Sequence, residues 1–150
     1  MRAAPSAKIG HMRYLLLALA LSGAIVSVLA LRVHYSTGTE PCSINEHWDC
    51  GIVNHSRFAL LDHVPVAAIG IVGYLVLAGL AFTPWRFINM LVTFGGFLFA
   101  FRLSMIEQYA LEVWCLYCAI SQTIIAVMLL LSIVWFAAGY LALKRAAARA

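Results

Sequence analysis

The chain has 150 residues, of which 64% are hydrophobic and only 11% are charged. Soluble domains carry about 25% charged residues, so this composition excludes an ordinary soluble fold and favours a protein embedded in a membrane. The formal net charge of +4 is modest. Membrane orientation explains where the basic residues lie, and we expect no nucleic-acid partner.

Four apolar runs follow one another along the chain, each close to the roughly 20 residues that a helix needs to cross a bilayer core. Backbone polar groups in lipid must bond within their own segment, so such runs are predicted to be helical. The expected fold is an all-α integral membrane protein, a four-transmembrane-helix bundle that forms a single domain over 1–150. The predicted spans cover about 14–33, 64–83, 86–106 and 117–143.

The first run follows a basic segment with Lys8 and Arg13 that resembles the start of a secretory signal peptide. The apolar core of a signal peptide has about 7–15 residues, and this run is longer. Small residues near Ala30 are compatible with cleavage. The length nevertheless favours a retained membrane span.

A long connection, about 34–63, separates the first two spans. Loops of this length in compact proteins are usually functional or disordered. Ser43 and Glu46 have the spacing of a capping box, which predicts a short helix from Ser43 with Cys42 at its positive N-terminal end. A chance occurrence of this spacing is an equal alternative.

Charge is distributed unevenly over the connections. Cytoplasmic segments collect Lys and Arg, so both termini and the short second connection are predicted to be cytoplasmic. The first and third connections then lie outside, on the periplasmic side of a bacterial inner membrane. The acidic residues all fall in these two connections: Glu40, Glu46, Asp49, Asp62, Glu107 and Glu112. The basic residues of the other segments are Arg2, Lys8, Arg13, Arg86, Lys144, Arg145 and Arg149.

All four cysteines belong to the predicted outer connections. Cys42 and Cys50, the loop pair, lie in the first; Cys115 and Cys118, the C-x-x-C pair, close the third beside a helix expected to start near Leu116. Disulfides persist on this oxidising side of the membrane.

Three interpretations of the cysteines compete. Zinc held with His47 or His55 is disfavoured because the loop pair is too widely spaced for a zinc knuckle, and we expect no metal. Disulfides that only brace the outer loops explain the even count, but a C-x-x-C bridge closes too small a loop to constrain the chain. Redox exchange is favoured. A helix N-terminus lowers the pKa of a thiol, and the two cysteine pairs can pass electrons by thiol–disulfide exchange. A lipid-soluble quinone can reach Cys118 at the membrane edge.

The sequence resembles the vitamin K epoxide reductase family in its bacterial branch. The resemblance runs from about Thr39 to Ser132 and rests on "CSINEHWDC", "GIVNHSRFALLDHVPVAAIGIVGY" and "WCLYC". It includes the order of the pairs, with the loop pair first and the C-x-x-C pair last. It also includes Ser56, six residues after the second cysteine, and Gly70 with Tyr74 in the second predicted span.

The resemblance implies roles for all four cysteines. Cys115 and Cys118 would be the active-site pair, with Cys118 reacting with the quinone. Cys42 would be attacked by a reduced thioredoxin-like protein, and Cys50 would exchange with Cys115. The family further implies a helix bundle around the quinone, capped by the long loop. The protein would thus be a quinone-dependent thiol oxidoreductase that supports disulfide formation, with ubiquinone or menaquinone as acceptor.

Four residues are candidates for contacts with the quinone: Gln122, Val66, Ser56 and Trp114. Animal members have an asparagine at the position of Val66 and a tyrosine at that of Gln122, so epoxide reduction is disfavoured relative to ordinary quinone reduction. Many bacterial relatives carry a fused thioredoxin-like domain, which this sequence lacks. The thioredoxin-like partner is therefore expected to be a separate periplasmic protein.

Overall fold

The computed structural model describes residues 7–38 and 42–149, and for 7–9 it describes the backbone alone. Arg2 and Glu40, two members of the predicted charge pattern, lie outside the described residues. So does Thr39, where the family resemblance was expected to begin.

Helices dominate the described chain: α1 Ala7–Tyr35, α2 Cys50–His55, α3 Val66–Ala81, α4 Arg86–Ile106 and α5 Leu116–Ala147. A π-helical segment, Glu107–Leu111, continues α4. Between α2 and α3 lie a 3-10 turn, Arg57–Ala59, and a small antiparallel hairpin of β1 Leu60–Leu61 and β2 Val64–Pro65. The mostly helical, apolar architecture agrees with the all-α membrane class predicted from composition.

Three helical stretches of the described chain are long and apolar enough to cross a membrane: Gly10–Tyr35, Arg86–Leu111 and Leu116–Ala147. The second predicted span is shorter than expected, because α3 has 16 residues. A helix of that length spans about 24 Å, less than the bilayer core of about 30 Å. Val64 and Pro65 belong to the hairpin, and Phe82 caps the helix ahead of Pro84. The membrane class is supported, and the count of four spans remains a prediction.

Small residues allow α1 and α3 to pack closely. α1 packs against both α3 and α5, and α4 packs against α5. A Cβ added at Gly23 of α1 would lie 2.3 Å from the ring of Tyr74 on α3, so only glycine admits this aromatic ring. The Tyr74 hydroxyl donates to the carbonyl oxygen of Ser121 on α5 at 2.9 Å, which joins three helices at one level of the bundle.

The glycines of the second predicted span have different surroundings. Gly70 packs against α1, since a Cβ there would lie 2.9 Å from Ser27 Oγ. A Cβ at Gly73 or Gly79 would meet no atom of another helix within 4 Å among the described residues. Of these three glycines, Gly70 is therefore the one that the structure packs closely against a neighbouring helix.

Exposed large apolar side chains cover the outer faces of the long helices, as expected for surfaces that face lipid rather than water. Examples are Leu15, Ile25, Val72, Leu75, Phe94, Leu98, Leu130 and Val134.

Candidate active site

Backbone pairing joins the long loop to the third connection. Trp48 and Trp114 form a bridge, in which Trp114 N–H donates to the His47 carbonyl oxygen at 2.8 Å and Asp49 N–H to the Trp114 carbonyl oxygen at 3.1 Å. The two indole rings lie 6.3 Å apart. Residues 48–50 are thereby held beside 113–115. The four cysteines consequently lie in and around one apolar cluster at one end of the bundle.

The loop pair forms a disulfide between Cys42 and Cys50. The short helix of this loop begins at Cys50, where Asp49 Oδ1 accepts from the next two helical N–H groups at 2.8 and 3.1 Å. The helix predicted from Ser43 is wrong, because the Ser43 hydroxyl donates to Asp49 Oδ1 at 2.9 Å instead of capping a helix of its own. Cys50, rather than Cys42, therefore starts the helix.

The C-x-x-C pair lies at the start of α5, and the predicted helix start at Leu116 is confirmed. Cys115 is the N-cap, and its Sγ accepts from the Cys118 N–H at 3.4 Å. Both cysteines are free thiols, with Cys115 fully buried and Cys118 partly exposed. The N–H groups of a helix N-terminus favour a negative charge, so this position stabilises a Cys115 thiolate.

Asn54, which the sequence analysis did not single out, connects the two pairs. Its Nδ2 donates to the Cys50 carbonyl oxygen at 2.9 Å and to Cys115 Sγ at 3.5 Å. The pKa of Cys115 lies below its ordinary value, chiefly because of the hydrogen bond from the Cys118 thiol, with further bonds from the Cys118 N–H and Asn54. Burial and the Glu107 charge oppose this effect. The only signal in the sequence is a polar residue one turn after Cys50, and it becomes informative once α2 is seen to start at that cysteine.

Asn54→Ala should raise the pKa of Cys115, because a donor to the thiolate is lost. We expect about a threefold smaller thiolate fraction at neutral pH, since a long hydrogen bond to sulfur stabilises less than a typical bond to a charged group. Ultraviolet absorbance of the thiolate, followed against pH with the loop disulfide intact, measures this. Ser22→Ala, which removes an exposed hydroxyl on α1, is the control. If the Cys115 thiolate of Asn54→Ala forms over the same pH range as in the wild type, the role assigned to Asn54 is contradicted.

Glu107 is a second site residue that the sequence analysis treated only as an acidic residue of the third connection. Its side chain is buried, and Oε2 accepts from the Cys115 N–H at 3.0 Å. The chain reverses after it through the π-helical segment and through Glu112, which has a left-handed backbone with φ of 54°. This reversal brings a carboxyl group from the end of α4 to the start of α5.

A cavity of about 410 Å³ lies beside the C-x-x-C pair, between α1, α3, α4 and α5. Cys118 is part of its wall, whereas Cys115 is not among the described lining residues. The wall is mostly apolar and includes Val26, Ala30, Ile69, Leu77, Phe99 and Leu103. The polar groups of the lining include His34, Ser56, Tyr74, Glu107 and Ser121. An apolar cavity with a few polar groups is typical of a small-molecule site.

Two of the four candidate quinone contacts line this cavity, namely Ser56 and Val66. The Ser56 hydroxyl donates to the Val53 carbonyl oxygen at 2.8 Å, so in this arrangement it can only accept a further hydrogen bond. The other two candidates, Gln122 and Trp114, are not among the described lining residues of this cavity, and their contact with a quinone stays a prediction. Trp114 packs on Trp48 in the loop junction, and Gln122 falls beside the stripe of α5 that faces the cavity.

Among the described residues, no three His, Cys, Asp or Glu side chains are grouped as metal ligands.

A family model matches most of the chain. No curated protein of known function matches the chain. The sequence model of the vitamin K epoxide reductase family, which comprises membrane oxidoreductases, matches residues 14–133. The match includes the loop pair, the C-x-x-C pair and the helices that surround the cavity. The chain therefore belongs to the vitamin K epoxide reductase family.

Proposed function

We propose that the protein is a quinone-dependent thiol oxidoreductase that oxidises a separate thioredoxin-like protein. The observation that carries the proposal is that the two cysteines of the C-x-x-C pair have different surroundings. Cys118 forms part of the cavity wall, whereas Cys115 lies buried beside the loop pair, to which Asn54 connects it. One cysteine is thus placed for an apolar acceptor and the other for exchange with a second disulfide.

The proposed electron path starts at the loop pair. A partner thiolate attacks Cys42 and breaks the Cys42–Cys50 bond, and a second partner thiol displaces Cys42, so that the partner leaves as a disulfide. The Cys50 thiolate then attacks Cys115 in a Cys115–Cys118 disulfide, and Cys42 restores the loop disulfide by attacking Cys50. The C-x-x-C pair is left as a dithiol. The Cys42–Cys50 disulfide and the free thiols of Cys115 and Cys118 support this order of steps.

In the last step the pair gives two electrons to a quinone, which also takes up two protons, and the Cys115–Cys118 bond forms. The cavity suits such an acceptor in size and polarity, since ligand pockets have volumes of about 300–1,000 Å³ and mostly apolar walls. His34, Ser56 and Tyr74 are polar groups of the cavity wall. Because the Ser56 and Tyr74 hydroxyls donate to the carbonyl oxygens of Val53 and Ser121, each would have to turn from that partner to donate to a quinone oxygen. Val66 contributes an apolar surface, which favours ordinary quinone reduction over reduction of an epoxide.

The proposed orientation places both termini in the cytoplasm and all four cysteines in the periplasm of a bacterial cell. Its basis is the excess of Lys and Arg at the termini and in the second connection. Lipid-facing apolar surfaces on the long helices support the bilayer as the surroundings of the bundle.

One observation favours a second candidate, a membrane protein whose disulfides only brace its outer segments. Cys42 and Cys50 are 2% and 0% exposed, as in a structural disulfide shielded from exchange. Under the proposed function, the loop must open to admit a partner thiol.

Redox titration separates these two candidates. If the protein is an oxidoreductase, both cysteine pairs should titrate above about −300 mV, because bracing disulfides resist reduction below that potential. Titration against defined thiol buffers, with quantification of alkylated cysteines by mass spectrometry, measures both pairs. A loop pair that stays oxidised below about −300 mV would favour the bracing function.

A membrane-impermeant thiol reagent, applied to cells after reduction, should label cysteines from the periplasmic side, and labelling only from the cytoplasm would contradict the orientation.

A further inference from the structure

Glu107 is a carboxyl group buried between the cavity and the cysteines. Its side chain is 3% exposed, and among the described Asp and Glu residues it is the only one that is buried. It begins the π-helical segment that continues α4, and it forms part of the cavity wall together with Cys118. A buried carboxyl group is costly unless it is hydrogen-bonded, so its partners indicate its role.

The polar partners of Glu107 both belong to the C-x-x-C pair. Oε2 accepts from the Cys115 N–H at 3.0 Å, and the carboxyl group also interacts with the Cys118 side chain. Within the described chain, no Lys or Arg contributes a charge at this carboxyl group. A carboxyl group beside two thiols, with no cation to hold it ionised, is placed to exchange protons with them.

Oxidation of the C-x-x-C pair requires such an acceptor. The titratable groups that face this region come from four elements: His34 of α1, Tyr74 of α3, Glu107 after α4, and Tyr117 and Cys118 of α5. Of these groups, Glu107 is the carboxylate, and it lies in the same cavity wall as the Cys118 thiol. The mostly apolar wall offers few other acceptors.

We propose that Glu107 accepts the Cys118 proton during oxidation of the pair and passes it to the reduced quinone in the cavity. The proposal rests on the proposed function. The Cys115 thiolate and the Cys118 thiol together lose two electrons and one proton as their S–S bond forms. Glu107 takes that proton from Cys118 and returns to a carboxylate when the quinone receives it. The second proton of the quinol comes from solvent, which balances the proton that Cys115 released earlier.

Glu107→Gln tests this role with little change in shape. The amide oxygen can still accept from the Cys115 N–H, so the fold is retained, but the side chain cannot take up a proton. We expect quinone-dependent dithiol oxidation at neutral pH to fall about 100-fold, the usual scale of general acid–base catalysis. The difference in rate between Glu107→Gln and the wild type should become smaller as pH rises, because the Cys118 thiol then ionises without Glu107. Glu107→Asp should recover most of the rate and the wild-type pH profile.

Glu112→Gln is the matched control, since Glu112 is an exposed residue in the same connection, and its rate should equal that of the wild type. Rates are measured in vesicles with a soluble quinone analogue over a range of pH. An unchanged rate in Glu107→Gln, or a rate loss that is equal at every pH, would overturn the proton-transfer role. The proposed function would still stand in that case, provided that the wild type turns over. Absence of quinone-dependent oxidation in the wild type would overturn both.

Discussion

Cys118→Ala is expected to reduce quinone-dependent thiol oxidation to the rate of vesicles without protein, a loss of at least about 1,000-fold. Cys118 is the cysteine of the C-x-x-C pair that forms part of the cavity wall. Without its sulfur, the pair cannot close a disulfide, and no electron pair can leave the thiols for an acceptor in the cavity. The measurement is the absorbance change of the quinone with excess reduced dithiol.

The matched control for this variant is Thr123→Ala, an exposed position one turn and a half further along α5 whose hydroxyl bonds only to its own helix. It should turn over at the wild-type rate. Retention of the Cys42–Cys50 disulfide in Cys118→Ala, checked by mass spectrometry, shows that the loop still folds. Wild-type turnover in a correctly folded Cys118→Ala protein would refute the assignment of Cys118 to the quinone.

Cys42→Ala is expected to separate protein reductants from small ones. Oxidation of a thioredoxin-like protein should fall at least about 100-fold, because the disulfide that receives its electrons is gone. Oxidation of a small dithiol should stay within about threefold of the wild-type rate, because it can attack the partly exposed Cys118 of the C-x-x-C disulfide directly. The unpaired Cys50 should also accumulate as a mixed disulfide with Cys115, since no Cys42 thiol remains to resolve it.

Rates with the two reductants and peptide mapping of the mixed disulfide measure these outcomes. The variant lacking both Cys42 and Cys50 is the control, since it should spare the small dithiol and form no mixed disulfide. An equal loss with both reductants would argue against a shuttle role for the loop pair.

Much of the fold was predictable because it depends on local composition. Long apolar runs can satisfy their backbone only as helices, so the long spans followed from hydropathy. The length of α3 did not follow, because Val64 and Pro65 pair with Leu61 and Leu60 across a tight turn. That turn uses left-handed backbone at Asp62 and His63, which an apolar pattern does not reveal.

The prediction of a helix capped by Ser43 failed because Asp49, and not Ser43, accepts the N–H groups of the helix in this loop. Ser43 has the spacing of a capping box with Glu46, yet its hydroxyl bonds to Asp49. Asp49 caps the helix that starts at Cys50, and its pKa is lowered by the bond from Ile52 first and by those from Ser43 and Gly51. A charged acceptor forms the stronger bonds, so the helix starts there rather than at Ser43.

The supporting residues of the site were missed because they act across long sequence distances. Asn54 reaches Cys115, which is 61 positions away, and this contact depends on the junction of Trp48 with Trp114. Glu107 reaches Cys115 only through the chain reversal after α4. Gln122 was proposed by correspondence with the family, but the lining of α5 runs through Tyr117, Cys118, Ser121 and Ile125, and Gln122 lies just beside this stripe.

The central claim is that thiol oxidation by this protein is coupled to quinone reduction. Its most direct test uses the purified wild-type protein in vesicles, with a reduced thioredoxin-like protein and a quinone analogue, without oxygen. Disulfides formed in the partner and quinone reduced are measured in the same samples. The account predicts equal amounts of disulfide and quinol, and no disulfide when the quinone is omitted. Disulfide formation that continues without quinone, or quinone that stays oxidised while thiols disappear, would contradict it.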